Sequence, residues 1–323
     1  MPAGALLATA EYGLPPLPIR QGYVDPRRIW LEADGMEWRP SIEGIILPGA
    51  TGMGLPPVEV ISEPVPGVAG STLVEVRVGE REVYLPIYLA TEGTPEDFID
   101  AKTEFEDMLW PLGRAAPTLR IVAQDHTGIR ELPVTYVEGL TGDEGRTAAG
   151  ARWATVGLRF RAVNPYWQAR QDTPFEAGVA GPKDPFLGAH GAPNTAPWPR
   201  RLAGSTVLGM GMVVNVRSAV PVYPTAELTG PMNSFEASAD TGWHIRVPDP
   251  IPAGQTLRIV SEPRRKSVRL GGLPAAGRID LGGALKPFQP GENILDVLAP
   301  GGDENTLVRL TWREQYRSAW GGR

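Results

Sequence analysis

Residues 153–167 read Trp-Ala-Thr-Val-Gly-Leu-Arg-Phe-Arg-Ala-Val-Asn-Pro-Tyr-Trp. Ala154, Val156, Leu158, Phe160 and Ala162 fall on one face of an extended chain, and Thr155, Arg159 and Arg161 on the other, the two-residue period of a half-buried strand. Asn164-Pro165 stops it, because proline biases its predecessor away from helix and offers no ladder donor. Beyond Trp167 the composition shifts for almost forty residues. The segment therefore closes one domain and opens a linker.

Working outward, the 323 residues suggest about two domains at roughly 100–200 residues each. The chain holds 39 Gly and 34 Pro spread between apolar runs, a pattern of many short strands and turns. In the first domain, residues 1–166, strands are expected at 58–62, 72–79, 82–90, 118–124, 130–137 and 153–162. Val74, Val76 and Val78 face away from Glu75 and Arg77, and Gly79-Glu80-Arg81 reads as a hairpin connection to the next strand. Pro86 marks that next strand as an edge or a bulge. One helix is expected at about 95–110. Thr94 is its N-cap, Pro95 its first residue, and Glu96 and Asp97 suit its positive end. Phe98, Phe105, Leu109 and Leu112 share a face, and the rest of its surface is acidic.

Residues 167–205 are Pro/Gly-rich and aperiodic, the composition of a linker. Residues 206–323 form a second domain, with strands expected at 207–216, 225–228, 244–247, 255–260, 267–270, 278–281, 293–298 and 306–314. With no helix among them, they indicate an antiparallel sandwich.

The net charge of −6 argues against a nucleic-acid reader. There are no cysteines, so disulfides and thiolate chemistry are absent. No segment reaches the roughly 18–20 apolar residues of a membrane span. The apolar N-terminus lacks the basic start of a secretory signal and reads as a mature start. His126, His190 and His244 are isolated, with no partner at ligand spacing, so neither a metal nor another cofactor is expected. Gly209-Met210-Gly211 lies inside a strand-like run and reads as a bulge or a close packing contact, not a phosphate loop. Asp143-Glu144 and Asp303-Glu304 sit in turn-like loops, where solvated charge is the simpler reading than a glycosidase pair. The basic run Arg264-Arg265-Lys266 follows Pro263 in a hairpin turn, either solvated or docking a partner or polyanion. Trp243 and Trp312 could stack on a sugar or fill a core.

An ordered set of short segments carries a family resemblance. In the first domain these are Arg81-Glu82-Val83-Tyr84-Leu85-Pro86-Ile87, Leu109-Trp110-Pro111 after the helix, and Leu158 to Trp167. In the second they are Tyr223 to Pro231, Ile251 to Ile259, Pro290-Gly291-Glu292-Asn293 and Leu310 to Tyr316. With these the chain resembles the distal tail (Dit), or minor tail, proteins of long-tailed, non-contractile bacteriophages. The resemblance implies a mainly β protein: a tail-tube-like N-terminal sandwich or barrel with one helix, and a galectin-like C-terminal sandwich. It implies a structural virion protein, not an enzyme, assembled in the host cytoplasm and located at the tail tip. Six copies would close a ring around a channel that passes DNA without binding it, with an acidic or neutral inner wall. Partners would be the tail tube protein, a tip hub, fibre or tail-associated lysin, and the tape measure protein. Subunit contacts are expected from strand edges, from Asp100, Glu104 and Asp107 on the helix, and from Asp143, Glu144 and Arg146 in the 141–151 hairpin. Tyr166 and Trp167 would pack either on their own domain or on the next subunit. The sugar-binding residues of true galectins are not reproduced around Gly242-Trp243-His244-Ile245-Arg246. A cell-wall carbohydrate-binding module using Trp243 and Trp312 is the alternative function, and a cell-wall hydrolase a remoter one.

Overall fold

The computed structural model of the chain describes residues 27–39, 44–67, 69–112, 119–140, 149–150, 152–178, 207–280 and 284–321. In the first domain the elements are β1 (Arg28–Ala33), β2 (Met36–Trp38), β3 (Gly44–Ile46), β4 (Val58–Pro64), β5 (Ser71–Val78), β6 (Arg81–Ala90), α1 (Pro95–Leu109), β7 (Arg120–Asp125), β8 (Gly128–Pro133), β9 (Thr135–Glu138), β10 (Ala149–Gly150), β11 (Trp153–Ala162) and β12 (Trp167–Ala169). The strand at 153–162 spans the expected residues, and it pairs with β6 in unbroken register from Trp153↔Ala90 to Ala162↔Arg81. Its apolar face lies in a core with Val83, Leu85, Ile87, Ile121, Leu132 and the buried side of α1. The fold is mainly β, with no closed barrel.

Several expectations for this domain fail. The single strand expected at 130–137 divides at Val134 into β8 and β9, which belong to different sheets. β5 does not continue into β6 as a hairpin; it pairs with β4, from Val58↔Val78 to Pro64↔Ser71. Both edges of β6 are already occupied, by β11 and by β3, so no ladder remains for β5. For the same reason Pro86 sits in an interior strand. Its missing donor faces the side where β3 ends at Ile46, and its carbonyl still accepts from Leu47 N at 2.8 Å. The helix has the expected start: Thr94 and Asp97 form a reciprocal capping box. Phe98, Phe105, Met108 and Leu109 are buried, whereas Leu112 lies beyond the last turn and is exposed.

The second domain comprises β13 (Thr173–Gly178), β14 (Val207–Val216), β15 (Thr225–Thr229), β16 (Phe235–Ala239), β17 (His244–Val247), β18 (Thr256–Val260), β19 (Ser267–Leu270), β20 (Leu273–Pro274), β21 (Gly291–Leu298), β22 (Leu307–Trp312) and, past its end, β23 (Gln315–Tyr316). Two antiparallel sheets, ordered β13-β22-β15-β18-β19-β20 and β14-β21-β16-β17, face each other across one apolar core. Of the expected strand at 278–281, Arg278 ends a short 3-10 turn, Ala276–Arg278, and Ile279 is extended; Leu281 lies outside the described residues. The Gly209-Met210-Gly211 run is a bulge, with a register shift and a positive φ at Gly211.

Trp243 and Trp312 lie on either side of Phe288 in that core, edge-to-face at 5.3 and 6.0 Å. Trp243 is 0% exposed. Neither ring can form a sugar platform, because burying such large apolar area inside the sandwich is worth more than leaving it wet. Phe288→Ala is expected to lower stability by about 3–5 kcal/mol, through the cavity opened between the indoles. Urea unfolding followed by tryptophan fluorescence checks this.

Candidate assembly surfaces

The two domains are joined twice. β12 leaves the first domain and β23 returns to it, and the two strands pair with each other at Trp167↔Tyr316 and Gln168↔Gln315. β12 also pairs with β8, so both crossing strands extend the first-domain sheet β2-β1-β7-β8-β12-β23. The second domain is thus an insertion between neighbouring strands of the first. The expected linker at 167–205 begins as β12 and then β13, an edge strand of the sandwich; residues 179–206 lie outside the described residues. The expected sandwich at 206–323 stops short at its C-terminal side, because residues 315–320 belong to the first-domain sheet and core.

Two buried arginines hold this return. Arg81 is first in β6 and in phase with Val83, Leu85 and Ile87, so its side chain points inward. Its guanidinium donates to four backbone carbonyls: Nε to Pro165 at 2.6 Å, Nη1 to Gly52 at 2.5 Å and Gly54 at 2.7 Å, and Nη2 to Arg317 at 2.7 Å. Burial pulls its pKa down to about 10, so it remains charged at neutral pH. Gly52 is required there. Its φ is +89°, and a Cβ would overlap the Glu82 carbonyl and Val83. Arg130, in phase with Leu132, donates from Nη1 to Ser318 O at 2.8 Å and from Nη2 to Gly321 O, and lies over the Tyr316 ring at 3.9 Å. Asp125 completes the clasp, accepting Gly321 N on Oδ2 at 2.7 Å.

An ionic network lies beside the crossing. Arg313, just past β22, reaches buried Glu131 of β8 at 2.9 Å and Asp172 at 2.8 Å. Arg170, just past β12, pairs with Glu32 of β1 through both guanidinium nitrogens, at 2.9 and 3.0 Å. On the sandwich side, Ser218 Oγ both donates to Gln315 O and accepts from Gln315 N.

Of the residues expected at a subunit interface, Asp100, Glu104 and Asp107 are exposed on α1. Asp143, Glu144 and Arg146 lie outside the described residues. Tyr166 is half-buried, its backbone N donating to Asn164 Oδ1 at 3.2 Å. Trp167 is fully buried in its own domain's core and presents nothing to a neighbour. Of the two packings left open for it, the intramolecular one holds, because its strand is sealed between β8 and β23.

The β4–β5 hairpin is a surface the sequence reading did not single out. Val58↔Val78 and Val60↔Val76 are cross-strand pairs on one face, continued by Val74, and these valines are 42–61% exposed. The other face carries Glu59↔Arg77, and Glu75 within 2.6 Å of Arg77. The hairpin forms its own two-stranded sheet. Such a sheet is marginal alone, and an exposed row of valines invites covering. The alternation of Val74, Val76 and Val78 was the available signal; the missing knowledge was that β6 had no edge to offer.

Against known proteins, residues 217–316 match the family described as siphovirus-type tail component, C-terminal domain. No curated protein matches the chain in sequence. The crystal structure of SPP1 Dit, described as a paradigm of the hub adsorption apparatus in phages infecting Gram-positive bacteria, is similar with a TM-score of 0.59 at 12% identity. The likeness covers 88% of this chain and 98% of that one. A chain of the phage P2 baseplate, solved in its activated conformation with Ca, gives a TM-score of 0.52 at 10% identity, over 91% of this chain and 99% of that one.

Arg81→Met is expected to cost about 3–5 kcal/mol, since four carbonyls lose a charged donor in a closed site; denaturant unfolding measures it. The clasp at Asp125 carries a pH signature. Burial raises its pKa, but hydrogen bonds from Gly321 N and from the amide and hydroxyl of Thr127, with the charge of Arg130, outweigh burial and hold it down at about 2. Its stabilisation is therefore fully present above the unfolded value of about 3.9 and fades as pH falls through about 2. Asp125→Asn should abolish that step in amide exchange at residues 318–321. Residues 217–316 thus carry the siphovirus-type tail component C-terminal domain, and the chain as a whole shares its fold with the SPP1 Dit protein.

Proposed function

We propose that the chain is the structural hub of a phage tail tip, six copies closing a ring that joins the tail tube to the tip or baseplate proteins. The coarse role follows from the hub and baseplate proteins whose fold it shares. The observation that carries the ring is the β4–β5 hairpin. A ring needs a heterologous contact, one surface of each copy fitting a different surface of the next. The hairpin supplies one such surface: it stands on its own sheet, with a valine face that nothing in its own chain covers among the described residues. Buried against a neighbour, those side chains contribute about 25 cal/mol per Å² of apolar area.

In this reading the first domain forms the ring, with DNA passing through the channel without specific binding. The inserted sandwich is an outer arm or docking platform for tip proteins such as a fibre or a tail-associated lysin, and the tube protein and tape measure protein meet the ring face. The outer face of the β9-β11-β6 sheet suits a wall that does not retain phosphate. Its arginines are paired across strands: Arg159 with Glu138 at 3.1 Å, and Arg161 with Glu80 and Glu82, both at 3.8 Å. The carbohydrate-binding alternative loses its platform with the burial of Trp243 and Trp312.

Val60→Lys/Val76→Glu is expected to leave the monomer folded, since both side chains are exposed and the new charges are opposite across the strands, and to abolish ring formation. Native mass spectrometry of wild type and variant, with thermal unfolding as the control for folding, tests this. Rings of unchanged stability in the variant would remove the hairpin from the interface, and a wild type that stays monomeric with and without its tail partners would sink the hub reading.

A further inference from the structure

The outer face of the sandwich's larger sheet carries a charged row in strict register. Five strands each contribute one residue: Glu176 (β13) ↔ Arg309 (β22) ↔ Glu227 (β15) ↔ Arg258 (β18) ↔ Arg269 (β19). The alternation of sign is what cross-strand neighbours favour. Arg309 reaches Glu176 at 2.6 Å and Arg258 reaches Glu227 at 3.2 Å. The row then breaks its own rule, because Arg269 stands directly opposite Arg258, cation against cation. Among the described residues its guanidinium meets only the Gly272 carbonyl, at 3.5 Å.

The turn that joins these two strands adds Arg264, Arg265 and Lys266. All three are exposed, and none makes an ion pair among the described residues. In a chain of net charge −6, one hairpin thus concentrates four cations without a carboxylate partner. Like charges side by side cost stability in the isolated chain. The cost is recovered when a carboxylate surface arrives at the open end of the row.

The same chain carries such a surface elsewhere. Helix α1 has acidic residues in its first turn, no basic residue in its last, and Glu96, Asp100 and Glu104 exposed. We infer that the β18–β19 hairpin of one copy docks on the acidic face of α1 of a neighbouring copy, so that sandwiches brace the ring from outside. This contact rests on the ring reading and adds a second belt to it, polar where the hairpin belt is apolar.

Zero-length carbodiimide cross-linking tests it on the full chain. Unlabelled and ¹⁵N-labelled protein are mixed, assembled, cross-linked and digested. The expected product is a mixed-isotope peptide pair joining Lys266 to Glu96, Asp100 or Glu104. Rings that form while Lys266 links elsewhere, or only within one copy, overturn the inference and leave the ring intact. Absence of rings overturns both. A charge-swap series gives an independent readout: Arg264→Glu/Arg265→Glu should weaken ring assembly by about three- to tenfold at low salt, and Asp100→Lys/Glu104→Lys in the same chain should restore it. No restoration, together with salt-sensitive binding of polyphosphate by the wild type and not by Arg264→Glu/Arg265→Glu, assigns the cations to a polyanion and refutes the inter-copy contact.

Discussion

A guanidinium buried without a carboxylate is the constraint on which the rest of this architecture depends. Arg81 is held by four carbonyls drawn from three separate stretches: 52–54, the exit of the first domain at Pro165, and the returning segment at Arg317. A charge in that position is tolerable only while all of them are present, because burying an unsatisfied cation costs several kcal/mol. First-domain core, domain exit and return strand are therefore one cooperative unit. Arg130 and Asp125 repeat the device a few residues later at Ser318 and Gly321. The ionic network of Arg313, Glu131, Arg170 and Glu32 then seats the sandwich on the same sheet.

Much of the framework was legible in the sequence, for a simple reason. Strands such as Trp153–Ala162, His244–Val247 and Ser267–Leu270 have one wet face and one dry face, or sit between clear turns. The helix announced itself through Thr94, Pro95 and Asp97, whose roles are local. Long-range partnership was what stayed hidden. Nothing within a few residues of Val78 says that β6 is flanked on both sides, and the short β12 and β23 are strands only by virtue of distant partners, β8 and each other. Arg81 reads in the sequence as part of a turn, although its phase with Val83 and Leu85 places it inward. An arginine in a core phase is overlooked because it is rarely satisfied there. Trp243 and Trp312 were legible as aromatic and ambiguous as to face, and only the position of Phe288 between them resolves it.

The division of labour between the domains follows from their surfaces. The first domain keeps its apolar excess on a hairpin outside its core, which suits a contact made with copies of itself. The second seals its aromatics inside and presents rows of paired charge, with Thr229 and Thr256 hydroxyls 3.1 Å apart beside them. A surface of that kind adapts to partners by exchange of charge and shape without reworking the core.

The insertion topology also imposes an order in time. During translation residues 27–169 emerge well before 315–321, and the whole sandwich is made in between. Until the later residues leave the ribosome, the first-domain sheet lacks its last strand and Arg81 lacks the carbonyl of Arg317. A chain interrupted anywhere within the sandwich carries an unfinished first domain. The fold thus ties the two domains together in synthesis: only a chain that already bears the sandwich can complete the first-domain sheet and fill the Arg81 site.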